Sequence, residues 1–145
     1  MTHRISRSLL LASLCALTIA AAPETQPSER TTPSGLKIIE VQSSGESAAK
    51  AGDKVWVIYA GRLQSNGKEF DSSAKHGGDP IAFTLGTGQV IKGWDEGIAG
   101  MKIGDKRQLV IPPSLAYGDR GAGGDIPPGA TLVFDVELVG IMRAR

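Results

Sequence analysis

The sequence predicts an α+β domain, an antiparallel sheet with one short helix packed on its inner face. Period-two alternation recurs from residue 35 onward. It is clearest at residues 132–139, where Leu132, Phe134, Val136 and Leu138 face one way and Val133, Asp135, Glu137 and Val139 the other. Only residues 91–101 carry helical spacing, with Ile91, Trp94 and Ile98 on one stripe, and three glycines keep that helix short. Nineteen glycines and eight prolines in a chain only 5% aromatic point to turns rather than to a helical bundle.

The first twenty-two of the 145 residues differ in character from the rest. Arg4 and Arg7 form a positive start, and residues 9–22 are an apolar run broken only by Ser13 and Thr18. Ala20, Ala21 and Ala22 close it in the small-residue pattern of a secretory signal peptide. The run is too short to span a bilayer, which takes about 20 residues. Pro23 makes cleavage after Ala22 awkward, so cleavage after Ala20 competes with it, and the secreted form is expected to start between Ala21 and Glu24. The expectation is an exported protein, periplasmic in a Gram-negative cell and secreted otherwise, with no stable membrane insertion once the leader is gone. Residues 23–34 hold three prolines and no aliphatic side chain, which predicts a flexible tether. Residues 35–145 are the folded domain.

Within it, residues 36–41 predict a first strand. Residues 53–63 predict a second, apolar on both faces and hence central. Asn66-Gly67 signals a two-residue hairpin leading into residues 68–71. Residues 81–85 and 106–111 predict two more strands, the latter ended by Pro112-Pro113, and residues 132–139 the last. There is no internal repeat and no heptad, so a monomer is expected.

Several functions are excluded. Loss of Arg4 and Arg7 with the leader lowers Lys+Arg from 16 to 14 against 15 Asp+Glu, a formal charge of −1, which leaves no footprint for nucleic acid. The only cysteine, Cys15, lies in the leader, and His3 and His76 are the only histidines, so no disulfide, thiol redox centre or Cys/His metal site is expected. The stretch after Gly86-Thr87-Gly88 lacks the third glycine of a dinucleotide fingerprint, and no cofactor is implied. Asp95 and Glu96 diverge by about 100° on a helix and read as a solvated face. His76, in a Gly-rich loop, reads as a solvated side chain rather than part of a catalytic triad.

The remaining signal lies in the aromatic residues and their neighbours. Val57-Ile58-Tyr59-Ala60-Gly61, Phe70-Asp71-Ser72-Ser73 and Val90-Ile91-Lys92-Gly93-Trp94-Asp95-Glu96-Gly97 stand in order along the chain. Leu115-Ala116-Tyr117-Gly118, Ile126-Pro127-Pro128 and residues 130–138 (A-T-L-V-F-D-V-E-L) follow them. Together, over residues 36–142, these segments resemble the FKBP-type peptidyl-prolyl isomerases. The resemblance implies a half-wrapped antiparallel sheet around the helix and an apolar pocket between the two. Trp94 would floor that pocket, with Tyr59, Phe70, Ile91, Ile126 and Phe134 as walls and Ile81 and Val90 at its edge. Asp71, Tyr117 and Tyr59 would be its catalytic polar groups, and Trp56 would lie outside it. Proline-containing polypeptides are the implied substrates, and macrolides of the kind that inhibit the family the implied inhibitors. A peptide-binding folding helper with incidental turnover is the alternative. Three departures stand out. Residues 74–79 (A-K-H-G-G-D) lack the arginine that often pairs with the Asp71 equivalent, leaving Lys75 as its candidate replacement. Ala122 replaces a histidine of some relatives, and Asp125 places a carboxylate where some carry isoleucine over the ligand.

Overall fold

The computed structural model describes residues 27–45 and 47–145, so the predicted leader and the start of the tether lie outside the described residues. Among the described residues, seven strands form one antiparallel sheet that half-wraps a single short α-helix. The strands are β1 (Ser28–Thr31), β2 (Lys37–Gln42), β3 (Lys54–Leu63), β4 (Glu69–Ser72), β5 (Ile81–Thr84), β6 (Lys106–Ile111) and β7 (Leu132–Met142), with α1 at Lys92–Ile98. The spatial order is β1-β2-β6-β7-β3-β4, and β5 pairs with the far end of β3.

One strand departs from the sequence reading. Residues 28–31, read as tether, form β1 and pair antiparallel with β2, Ser28 opposite Glu40 and Thr31 opposite Lys37. All four of its side chains are exposed, as expected of a segment without aliphatic residues. Backbone hydrogen bonds to the β2 edge, with a Lys37–Glu29 ion pair at 2.8 Å, order it without burying anything. The β3–β4 hairpin is also looser than two residues. The Leu63 N–H donates to Lys68 O and the Gly67 N–H to Leu63 O, which leaves residues 64–67 in the turn. Asn66 Oδ1 accepts from the Lys68 N–H, and Gly67 takes φ +72°.

The predicted alternation of β7 appears as burial. Leu132, Phe134, Val136 and Leu138 lie in the core, while Asp135 and Val139 face solvent. β3 is central in pairing, but only Val55, Val57, Gly61 and Leu63 are buried, and Ile58 looks outward. The helix runs from Lys92 to Ile98, shorter than the predicted 91–101, with Trp94 and Ile98 buried against the sheet.

Its glycines do more than limit its length. A Cβ on Gly93 would stand 2.5 Å from Ile111 Cγ2, and one on Gly97 2.7 Å from Leu109 Cδ1. Both contacts are to β6, so the two glycines let the helix backbone lie directly on the sheet. Arg107 secures its other end. This buried guanidinium donates to the carbonyls of Gly97 and Ala99 and to Glu40 Oε1, all at 3.0 Å. It satisfies carbonyls the helix leaves unpaired at its C-terminus. Arg107 shares the buried face of β6 with Leu109 and Ile111, as a charge.

Candidate active site

The helix and the concave face of the sheet enclose a cavity of about 240 Å³. Trp94, 4% exposed, is its base, and three aromatic rings pack on it edge-on or tilted. Tyr59 stands 5.1 Å from it, Phe134 5.2 Å and Phe83 5.8 Å, centroid to centroid. Phe70 meets Phe134 edge-to-face at 5.5 Å. Such offset contacts fix ring orientation better than aliphatic packing does.

Local backbone features hold these walls. Gly61 of β3 pairs with Asp71 on one side and Phe134 on the other. A Cβ there would come 2.5 Å from Phe134 and 2.8 Å from Phe70, so glycine makes the room in which the two rings meet. The β3–β4 register then slips: Gly61 pairs with Asp71 but Arg62 with Glu69, which leaves Phe70 as an extra residue. In a regular strand, consecutive side chains point to opposite faces. The bulge re-aims them, so both Phe70 and Asp71 line the cavity.

The polar groups cluster on one side. Tyr59 O–H donates to Asp71 Oδ2 at 2.7 Å. Asp71 Oδ1 accepts from its neighbour Ser72 N–H at 2.9 Å and bonds His76 Nε2 at 2.8 Å. Ser73 Oγ accepts the Tyr59 N–H at 3.1 Å, tying the turn after β4 to β3. Burial pushes the Asp71 carboxyl upward, but the bonds from Tyr59, His76 and Ser72 together outweigh it and hold the group below the usual carboxylate range. Burial, reinforced by the hydrogen bond to Asp71 and its charge, raises Tyr59 well above the ordinary phenol value, and burial with the Asp71 charge raises Tyr117 too, so both remain O–H donors. Tyr117, 41% exposed, reaches the rim from the loop between two short 3₁₀ turns, Pro113–Leu115 and Gly118–Arg120.

Of the ten residues expected around the pocket, nine line the cavity: Tyr59, Phe70, Asp71, Ile81, Val90, Ile91, Trp94, Tyr117 and Phe134. The tenth, Ile126, does not. It is 6% exposed and lies in the hydrophobic core, as do Trp94 and Phe134, and the flap around it closes on itself: the Ala122 N–H donates to Ile126 O and the Ile126 N–H to Ala122 O. Asp125 beside it is exposed and absent from the lining. Gln89 lines the cavity without having been anticipated. Its Oε1 accepts the Thr84 N–H, a contact with no sequence signature. Trp56 stands outside, with Lys54 Nζ 5.4 Å above its ring.

Two further readings are corrected. The residue beside Asp71 is not Lys75, which turns to Glu69 at 3.9 Å; the 3₁₀ turn Ser73–His76 instead swings His76 back onto the carboxylate. Asp95 is no idle surface charge either. Its oxygens accept the N–H groups of Gly86 and Gly88, pinning the loop that leads to Val90 and Ile91, and Glu96 accepts from Ser34 Oγ.

The family described as FKBP-type peptidyl-prolyl cis-trans isomerase matches residues 45–139. The chain belongs to this family. The FKBP relative FPR2 of Saccharomyces cerevisiae, a peptidyl-prolyl cis-trans isomerase, is 62% identical over 96 residues, 66% of this chain and 70% of the relative. FKBP53 of Arabidopsis thaliana, carrying the same description, is 54% identical over 115 residues, but this chain spans only 24% of its length. Among solved structures, FkpA from Escherichia coli superposes with a TM-score of 0.74 at 45% identity, over 83% of this chain and 55% of that one. The FKBP fold and the isomerase family are thereby established. No helix among the described residues is long and apolar enough to cross a membrane.

Proposed function

We propose that this FKBP-type chain, acting as a monomer, accelerates cis–trans isomerisation of X–Pro bonds in exported polypeptides. The observation that carries the reading is the cavity itself: an aromatic cup over Trp94 with the Tyr59–Asp71 pair on one wall and Tyr117 at the rim. The uncatalysed bond turns over a barrier of ~18–20 kcal/mol, because the twisted state loses amide resonance. Nothing need be transferred, so the site requires neither nucleophile nor proton shuttle. A proline ring seated against Trp94 brings its imide out of water. The planar imide is the more charge-separated form and loses more hydration than the twisted one, so the barrier falls. A reduction of ~7 kcal/mol corresponds to about 10⁵ in rate.

The polar groups orient the peptide. Tyr117, a donor throughout the neutral range, gives its O–H to a substrate carbonyl, and the Ile91 backbone N–H binds a second one further along. Asp71 presents a carboxylate edge beside the twisting carbonyl carbon, with Tyr59 fixing its other oxygen. The same cup takes the macrolides that inhibit the family. Export rests on the character of residues 1–22. N-terminal sequencing of the exported protein is expected to find a start between Ala21 and Glu24, and an intact Met1 on membrane-bound material overturns it.

The deciding experiment is a protease-free isomerisation assay on a proline tetrapeptide, comparing the wild type with the double variant Tyr59→Phe, Asp71→Val. Most turnover is expected to vanish while the circular dichroism spectrum stays native, since both polar tips point into a cavity walled by other residues. A folded double variant with wild-type kcat/KM refutes the assigned roles. A wild type that binds the peptide without accelerating it identifies a holding module instead.

A further inference from the structure

We infer that His76 is a positioning residue of the isomerase site, holding the Asp71 carboxylate through Nε2 in a protonation-dependent way. His76 is one of only two histidines in the chain, and it lies five residues beyond the carboxylate that it touches. The contact is built into the backbone. The turn Ser73–His76 begins at Ser73, anchored to β3 through the Tyr59 N–H. It ends at Gly77, whose φ of +78° reverses the chain directly after the imidazole, and the Gly78 N–H closes it on Ser73 O. Asp71 therefore sits among three donors. Tyr59 takes Oδ2, and His76 and the Ser72 N–H take Oδ1.

The chemistry follows from the imidazole. An ionised carboxylate only accepts hydrogen bonds, so the contact requires a proton on Nε2. A neutral ring meets that requirement in one of its two tautomers; the imidazolium meets it always, and with a charge-assisted bond. Histidine is the side chain that ordinarily changes charge between about pH 5 and 8. The ring is 62% exposed, so solvent protons reach it. Other ionisable groups face the pair from each packed element. Tyr59 on β3 and Tyr117 from the loop before the flap stay protonated in this range. Glu69 of β4 and Lys75 of the turn pair with each other at 3.9 Å. Among these groups His76 alone is of the residue type that ordinarily changes charge near neutrality. In the acid form the carboxylate is clamped on both oxygens. In the alkaline form one clamp weakens and Asp71 gains freedom relative to Trp94 and the bound proline.

This rests on the isomerase reading above, and two measurements keep the two claims separable. The first is kcat/KM for an N-acylated, C-amidated proline peptide without ionisable groups, from about pH 5.5 to 8.5. The wild type is expected to lose roughly two- to fivefold with rising pH, mainly through KM. His76→Gln, which keeps a donor but no titration, is expected to be flat near the alkaline level, and His76→Arg, always charged, flat near the acid level. The second needs no turnover: the ¹³Cγ shift of Asp71 is expected to follow imidazole protonation in the wild type and to stay still in His76→Gln. A chain inactive at every pH refutes the isomerase reading alone, provided that this shift still tracks the imidazole. A pH step in kcat/KM that persists in His76→Gln, or an Asp71 shift that ignores the imidazole, overturns the inference.

Discussion

At the scale of single residues, the site consists of a few polar atoms whose ionisation is set by their partners. Asp71 is the clearest case. Its hydrogen bonds favour the ionised form and hold the folded-state value below the ordinary 3.8. For a carboxyl depressed in this way, the stabilisation is fully present above the unfolded value and is lost as pH falls through the folded one. Asp71→Asn is accordingly expected to lower the urea midpoint at pH 6 and to make less difference at a pH low enough to protonate the wild-type carboxyl. Equal differences at both pH values would show that the bonds do not depend on charge. Because the side chain is more than a third exposed, the effect is expected to be modest.

Secondary-structure elements position these residues by close approach. The helix can floor the cavity only because Gly93 and Gly97 let it rest on Ile111 and Leu109 of β6. Gly93→Ala sets two effects against each other: better helix propensity, worth up to ~1 kcal/mol, and overpacking against a fully buried isoleucine, costing ~1–3 kcal/mol. The contact at 2.5 Å decides the sign, and a net loss of about 1–2 kcal/mol in denaturant unfolding is expected, with a raised KM as Trp94 shifts. A gain in stability would show that the helix can lift off without consequence. The bulge in β4 works at the same scale, because two consecutive residues share the cavity only where the pairing register slips.

Across the whole molecule, two contacts bind distant parts of the chain to the site. Arg107 joins β6, the end of α1 and Glu40 of β2. Arg107→Met keeps much of the volume but leaves two carbonyls and a carboxylate without their donor, and a loss of ~3 kcal/mol is expected from chemical denaturation. A loss below ~1 kcal/mol would mean that water replaces the guanidinium. The two tryptophans permit a test of the overall arrangement. Trp94 floors the cavity and Trp56 lies outside it. Macrolide binding is therefore expected to change indole fluorescence fully in Trp56→Phe. Loss of the signal in that variant would contradict the placement.

The amino-acid sequence by itself determined the features that arise from local periodicity and residue type. Strand character marked β2, β3, β6 and β7, with alternation clearest in β7, and helical spacing marked the stripe of Trp94 and Ile98. The ordered motifs brought nine of the ten expected lining residues to one cavity. Tertiary structure decided the rest, because periodicity records which side chains are buried and says nothing of backbone pairing or of contacts between distant residues. A polar strand such as β1 buries no side chain and has no pattern to detect; only the open edge of β2 orders it. Ile126 carries the composition of a pocket wall, and its burial within a flap closed by the Ala122–Ile126 backbone pair is a contact between residues that periodicity does not record. Sequence reading points to Lys75 as the partner of Asp71 and to His76 as a solvated side chain, but the sense of a single 3₁₀ turn selects the histidine. Arg107 and Asp95 carry the composition of surface charges. Each is placed where backbone groups would otherwise lack partners, at the helix end and in the glycine loop, and only the assembled fold creates those vacancies.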